Sequence, residues 1–204
     1  MIQVNVGNSS SSVQGSGVSL TETREIEPFT SLEVRGSGTA KIVFGKEQSL
    51  LISADDNIMP FLSTRVEDGR LLIEPTESIS TKTPMVFEIA VGKLDHIVAQ
   101  GAIGIEFSDF DGETLTIELE GASRCEGSGK VANLDIKAAG ATTISLQKLV
   151  AKSAKIKLSG AGTASVHATE SFDGSADGIA KINCSGNPST VAKSSSGIAS
   201  ISVD

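Results

Sequence analysis

Carboxylates on one face of a β-strand can act as acid, base or nucleophile in polysaccharide-cleaving enzymes. Glu118, Glu120 and Glu126 occupy polar positions around Gly121 and are the candidates for that chemistry. Lys137 and Lys157, however, precede later glycines by the same three residues as Glu118 precedes Gly121. If equivalent positions stack, they form a Glu-Lys-Lys column, and surface pairs of this kind contribute about 0–1 kcal/mol. We therefore predict ion pairing here rather than catalysis.

The remaining polar motifs give no better case for a reactive site. His96 and His167 have no metal-ligating neighbour at a useful spacing, so we expect surface histidines. Asp109 and Asp111 flank Phe110 before a glycine, which favours a turn over a Ca²⁺ site. Asp55-Asp56-Asn57 is typical of a turn or a helix cap. The sequence thus predicts no catalytic residue, no cofactor, no cofactor-binding residue and no metal site.

The elements that would position these side chains come from a repeat in the second half of the chain. Steps of 18 to 20 residues separate successive glycines, a period that is typical of a β-solenoid in which each repeat makes one coil. The glycines are Gly101, Gly121, Gly140, Gly160, Gly178 and Gly197. An ordinary antiparallel β-sandwich with chance glycine spacing is the alternative.

Positions around each glycine repeat as well. The fourth and sixth residues after it are mostly apolar and the fifth is mostly polar, which is strand alternation with one buried face. Isoleucine recurs four residues before the first four glycines, at Ile97, Ile117, Ile136 and Ile156. We therefore predict an all-β fold, a parallel β-helix (β-solenoid) with coils of about 19–20 residues.

An earlier copy of the repeat begins at Gly36, 65 residues before Gly101. Between them, residues 66–71 predict a hairpin, since Asp-Gly favours a tight two-residue turn. We expect a flexible Ser/Gly-rich lead-in over residues 1–24, then a solenoid domain over residues 25–204. Within that domain, residues 25–95 are the less regular part and residues 96–204 the regular coils.

Cys125 and Cys184 fall on inward positions three coils apart, roughly 14 Å. That separation is too long for a disulfide, so we predict two buried free thiols.

Composition excludes several classes of protein. The net charge is −8 and basic residues are not clustered, which argues against nucleic-acid binding. No run of about 18 apolar residues is present, so no transmembrane helix is predicted. Trp and Tyr are absent, so a glycan site would need polar contacts alone. The last coil carries Lys193 and Ser195 at core positions, which is typical of a capped end.

The chain resembles the bacterial DUF2807 family, named for an auto-transporter adhesin head GIN domain. The resemblance covers residues 25–204 and rests on residues 28–34 followed by Gly-Ser-Gly, on Ala54-Asp55-Asp56-Asn57-Ile58, and on the serial Gly-Ala segments. It implies a right-handed β-helical fold, an exported protein of the cell envelope and no enzymatic activity.

These observations favour a non-catalytic envelope-associated scaffold or adhesin-like module. Two alternatives stay open: an intracellular bactofilin-like scaffold or filament protein, and a carbohydrate-active β-helical enzyme. The partner is unknown; a surface protein or a glycan would suit the module, and flat faces permit side-by-side homo-oligomers. No signal peptide is visible at the start of the sequence. We expect export to the periplasm, the outer membrane or the cell surface after removal of a signal, with a cytoplasmic location as the alternative.

Overall fold

The computed structural model describes residues 12–204. Within them the chain is all-β, with one turn of 3₁₀ helix at Met59–Phe61 and no α-helix. The strands are β1 (Val13–Gln14), β2 (Ser19–Arg24), β3 (Ser31–Phe44), β4 (Ser49–Asp55), β5 (Leu62–Glu67), β6 (Arg70–Pro75), β7 (Ile79–Ser80), β8 (Val86–Val91), β9 (His96–Gly121), β10 (Arg124–Gly140), β11 (Thr143–Ser185), β12 (Thr190–Gly197) and β13 (Ser200–Val203). The expectation of an all-β protein is confirmed.

One large sheet contains most of these strands. Its order is β12-β11-β10-β9-β3-β8-β4-β2, with β13 also on β11 and with β6 joining β5 to β3. The ladders from β3 through β9, β10 and β11 to β12 are all parallel, whereas β4 pairs antiparallel with β2 and β8. The predicted hairpin is confirmed as β5–β6, where Asp68 and Gly69 both have positive φ.

The parallel ladders place the recurring glycines opposite one another. Gly140 pairs with Gly121 on one side and Gly160 on the other, Gly36 pairs with Gly101, and Gly178 with Gly197. We call this row the glycine column. Its members have positive φ, from +75° to +115°, a region that residues with a Cβ enter only at a cost. The early copy at Gly36 thus lies directly beside the first regular segment, despite the residues between them in sequence.

Strand β11 folds back on itself. It runs for 43 residues, against a usual strand length of about 3–10 residues. In a straight strand, Ser153 and Ser171 would lie roughly 60 Å apart. Their hydroxyl oxygens are instead 2.8 Å apart. Gly160, with φ +100°, lies between the two serines and stays in register with Gly140.

The alternating apolar residues build the core. The four isoleucines predicted to face inward are buried, and so are Ile105, Ile144 and Ile182 on the other side of the glycine column. The polar residues between them are mostly exposed or half-buried. Each buried aliphatic side chain contributes about 1.5–3 kcal/mol relative to leaving it in water. A single continuous apolar cluster runs from Phe29 to Cys184.

Residues 13–24, within the segment expected to be a flexible lead-in, contain the strands β1 and β2. β1 pairs with β7, and β2 pairs antiparallel with β4. The residues of β2 are largely exposed, so burial of apolar side chains does not explain their order. The pairing with β4 holds β2, and hydrogen bonds to side chains at the end of β4, described below, hold the residues before it. The first eleven residues of the expected lead-in lie outside the described part of the chain.

Candidate binding surface

Outward-facing side chains form two columns across the second half of the large sheet. The first contains one hydrogen-bonding side chain per segment: Thr114, Asn133, Ser153, Ser171 and Thr190. The second contains Thr116, Asp135, Lys155, Asp173 and Ala192. The ladder registers place Asn133 between Thr114 and Ser153, and Asp135 between Thr116 and Lys155. Together the columns line an elongated depression of about 410 Å³. We call it the polar groove.

Strand alternation explains why these residues share a face. Residues two apart on a strand point to the same side, so the two columns run side by side about 7 Å apart. In the first four segments the residue between the two columns points inward, and Leu115, Leu134, Ala154 and Phe172 are accordingly buried. In the last segment the corresponding residue, Val191, is 43% exposed. The floor of the groove is therefore strand backbone whose polar groups already pair within the sheet.

The first column is only partly engaged by the protein itself. Ser171 Oγ donates to Ser153 Oγ at 2.8 Å, and Asn133 Nδ2 donates to the carbonyl of Glu113 at 3.4 Å. Among residues 12–204, no side-chain hydrogen bond involves the hydroxyls of Thr114 and Thr190. This column was not predicted from the sequence. A polar residue seven positions before each of the last five repeat glycines, from Gly121 to Gly197, was the signal that would have revealed it.

None of the three candidate carboxylates lines the groove: Glu118 and Glu120 line a separate depression, and Glu126 lines another. All three contact other polar side chains. Glu118 Oε1 accepts from Lys137 Nζ at 3.0 Å, as the stacked-column interpretation predicts, and Lys157 follows at the next position. The hydrogen bond from Lys137 lowers the pKa of Glu118 below its ordinary value, against an opposing effect of burial. Glu120 accepts from Gln100 Nε2 at 3.2 Å, and Glu126 pairs with Arg124.

Both histidines make local contacts. His96 is less exposed than expected: its Nε2 is buried and lies 3.7 Å from Glu118 Oε1. His167 is half-buried, with Nδ1 3.1 Å from Ser185 Oγ. In the described part of the chain, no group of three His, Cys, Asp or Glu side chains is arranged to hold a metal ion.

A second cavity, of about 430 Å³, lies where β3 and the loop after β8 meet β9. Its apolar wall contains Phe44, Leu94 and Phe110, and its rim includes Asp109 and Asp111. Asp109 has φ +58°, a left-handed conformation that Asp tolerates in turns. The ring of Phe110 stacks edge-on against Phe44, with centroids 5.1 Å apart.

Asp55, Asp56 and Asn57 bind the amino-terminal segment. Asp55 is buried, and its carboxylate accepts backbone hydrogen bonds from Gly17, Lys82 and Thr83. Asp56 accepts from Ser16 Oγ, and Asn57 bonds the backbone of residues 14 and 16. Burial raises the pKa of Asp55, but the backbone donors outweigh it, so the net pKa is lowered. We call this cluster the acidic clasp; its role is to join β4, the β7–β8 loop and the segment before β2.

The two cysteines are free and buried, as predicted. Burial, with a smaller effect of Glu126, raises the pKa of the Cys125 thiol to about 12. Burial also raises the pKa of Cys184. High thiol pKa values and burial describe core cysteines rather than reactive ones.

The sequence profile described as "Putative auto-transporter adhesin, head GIN domain" (DUF2807) matches residues 28–188. The chain belongs to the DUF2807 family. The match includes the acidic clasp, the glycine column from Gly36 to Gly178 and all but the last segment of the polar groove. Resemblance at the level of sequence motifs is thereby confirmed over most of the chain.

Solved structures share the fold. A "putative adhesin" from Bacteroides fragilis superposes with a TM-score of 0.72 at 19% identity, covering 94% of this chain and 100% of that chain. A "putative lipid binding protein" from Parabacteroides distasonis gives 0.53 at 19% identity, covering 95% and 100%. A "putative adhesin" from Parabacteroides merdae gives 0.50 at 14% identity, covering 94% and 98%.

A search of curated proteins returned no significant match to the chain. In residues 12–204 no helix has the length and apolar character needed to cross a bilayer.

Proposed function

We propose that this protein is a non-catalytic, adhesin-like binding module that acts in the bacterial cell envelope or on the cell surface. The observation that carries this proposal is the polar groove, an exterior depression built from repeated side chains on a continuous core. Such a surface suits recognition of an extended partner. The description of the family, and that of the Bacteroides fragilis protein with the same fold, support an adhesin-like role.

The state of the carboxylates supports a module without catalysis. A glycoside-cleaving general acid needs a carboxyl group whose pKa is raised, so that it carries a proton near neutral pH. The pKa of Glu118 is lowered instead, because Lys137 donates to its charged form. Glu120 and Glu126 are exposed and bound to Gln100 and Arg124. None of the three has the environment of an acid catalyst.

For the architecture, the finer proposal is a right-handed β-solenoid in which each segment between glycines is one coil. The return of β11 onto itself supports it. We propose that residues 96–204 are the regular coils. The preceding less regular part, which includes β1 and β2, would belong to the same domain.

Paired cysteines test this architecture. Lys137 and Lys157 are exposed partners across a parallel ladder, within the Cα separation of about 4.4–6.8 Å that a disulfide requires. Lys137→Cys with Lys157→Cys should cross-link on oxidation. Lys137→Cys with Ser159→Cys, displaced by two residues to roughly 8 Å, should not. Equal cross-linking of both pairs would reject one coil per segment.

The location is tested by protease treatment of intact cells of the native host, followed by an antibody to this domain. Loss of the band in intact cells is the expected result and places the module at the surface. Lysed cells treated in parallel establish that the fold is cleaved when it is accessible. A band that survives in intact cells and in cells with a permeabilised outer membrane, but not after lysis, would contradict an envelope location.

A further inference from the structure

The polar groove also indicates the chemical class of the partner. We propose that it binds an uncharged linear polysaccharide, laid across the strands with one sugar ring opposite each segment. This inference rests on the adhesin-like function proposed above and adds the ligand to it.

The direction and length of the groove call for an extended ligand. It crosses five successive segments, from Thr114 to Thr190. Neighbouring strands lie about 4.8 Å apart, so the groove runs roughly 19 Å perpendicular to the strands. An extended chain of pyranose rings advances by a comparable step per ring. A ligand with one repeat unit per segment would therefore meet an equivalent side chain at each unit.

The hydrogen-bonding groups of the groove match hydroxyl-bearing ligands. Hydroxyls of Thr114 and Thr190 and the amide of Asn133 are exposed, and each can donate and accept. Ser153 and Ser171 already share one bond but keep acceptor capacity. Sugar hydroxyls, which also both donate and accept, are complementary to such a row.

The same surface disfavours a peptide. Extended peptides bind by adding a strand to an open sheet edge, or by placing apolar side chains in pockets. Over its first four segments the groove offers neither, because its floor there is backbone paired within the sheet and Leu115, Leu134, Ala154 and Phe172 are buried beneath it. The groove meets a sheet edge only at its last segment, β12, where Val191 is 43% exposed.

The alternating charges along the groove favour an uncharged polymer. Lys155 lies between Asp135 and Asp173 in the second column, so opposite charges alternate along the groove. A polyanion would be repelled by both aspartates. A polycation would be repelled by the lysine and would gain little binding free energy. Without aromatic rings for stacking, affinity should be modest and should accumulate unit by unit.

The test uses the full chain in native gels that contain neutral linear glucan, mannan or xylan, with polygalacturonate and chitosan as charged counterparts. We expect one or more neutral polymers to retard the protein and the charged ones to do so less. Calorimetry with oligosaccharides of the retarding polymer, from disaccharide to octasaccharide, should show affinity that rises up to about five rings and then levels off.

Two variants assign the site. Thr114→Val, Asn133→Ala and Thr190→Val combined removes the exposed hydrogen-bonding groups while keeping the β-branched shape at both threonines. Because each lost bond costs about a fivefold factor, binding should weaken roughly 100-fold. Asn183→Ala, at an outward position on the other side of the glycine column, is the matched control and should bind like the parent. Unchanged thermal unfolding establishes that both variants are folded.

Several results would overturn the inference. Retention of binding in the triple variant would place the site elsewhere. Stronger retardation by either charged polymer would contradict the charge argument. If no neutral polymer is bound while host cells still need this protein to attach to surfaces, the ligand class is wrong but the adhesin-like function survives. If attachment is also independent of the protein, both proposals fail.

Discussion

Replacing Gly140 by alanine should destabilise the fold strongly, because that position combines a close backbone approach with an unfavourable conformation. A Cβ on Gly140 would lie 2.4 Å from the carbonyl oxygen of Gly121 in the neighbouring strand. The same oxygen accepts the backbone hydrogen bond from Ala141 at 2.8 Å. Gly140 also has φ +106°. The substitution therefore forces the two strands apart at this position.

The magnitude follows from three contributions. Positive φ costs a residue with a Cβ about 1–2 kcal/mol. Loss or distortion of the hydrogen bond to Gly121 costs about 1 kcal/mol. The remaining overlap must be relieved by moving backbone in a packed ladder, about 1–2 kcal/mol more. We expect Gly140→Ala to lower the free energy of unfolding by about 3–5 kcal/mol in total.

Two other glycines separate these contributions. Gly45 has φ +74° and no atom within 4 Å of an added Cβ, so Gly45→Ala should show only the conformational cost, about 1–2 kcal/mol. Gly92 has neither feature, so Gly92→Ala should be neutral or stabilise by up to about 1 kcal/mol. Urea unfolding followed by circular dichroism gives all three values. If Gly140→Ala costs no more than Gly45→Ala, the close contact in the glycine column is not a determinant of stability.

Three further predictions concern the core, the acidic clasp and the cysteines. Ile144→Asp should lower the free energy of unfolding by about 4 kcal/mol or more, since it buries a charge. The control, Ser145→Asp, lies at the next residue, which is half-buried, and should lower it by less than about 1 kcal/mol. Equal melting temperatures of the two variants would show that the predicted inward register is wrong. Asp55→Asn should destabilise at neutral pH, because the lowered pKa of Asp55 means that its charged form stabilises the fold above the ordinary carboxyl pKa. That contribution is lost as pH falls through the lowered pKa, so the loss in free energy of unfolding caused by Asp55→Asn, measured in urea, should become smaller at acidic pH. A loss that does not change with pH, or an equal loss in Asp56→Asn, would refute the role of the clasp. At about pH 8, Cys125 should react with a thiol reagent roughly a thousandfold more slowly in the folded protein than in the urea-unfolded protein. The reason is that the thiol is buried and that burial raises its pKa to about 12. Equal reaction rates in the two states would contradict its core position.

Much of the fold could be predicted because the same alternation of apolar and polar residues recurs around several successive glycines. One strand with apolar alternation is ambiguous, but isoleucines at one position before four successive glycines fix both the inward face and the register. The pairing of Glu118 with Lys137 followed from that register alone. The hairpin at Asp68-Gly69 followed from turn chemistry.

The strand pairing of the amino-terminal segment could not be predicted from the sequence. Its Ser, Gly and Thr residues carry no apolar pattern, so composition suggested flexibility. In the structure, β2 is held by strand pairing with β4, and the segment before it by Asp55, Asp56 and Asn57, more than 35 residues away. Polar, long-range hydrogen bonds leave no periodic signal in the sequence. The alternation in β4 predicted a strand but not its partner.

The polar groove was missed for a different reason. Asn133, Ser153 and Ser171 look like ordinary solvent-facing residues when each is read in its own strand. Their common column exists only once the strands are stacked in register. Side chains searched one at a time for catalytic or metal-binding chemistry do not reveal a surface whose function depends on repetition.

Cell attachment is the most direct test of the proposed adhesin-like function. A strain of the native host lacking this protein should be compared with the parent, and with strains carrying the parent chain, Asn183→Ala or the triple groove variant, for retention on polysaccharide-coated and protein-coated surfaces. We expect that deletion reduces attachment, that the parent chain and Asn183→Ala restore it, and that the triple variant does not restore it on polysaccharide. Equal attachment of the deletion strain and the parent on every surface would contradict an adhesin-like function.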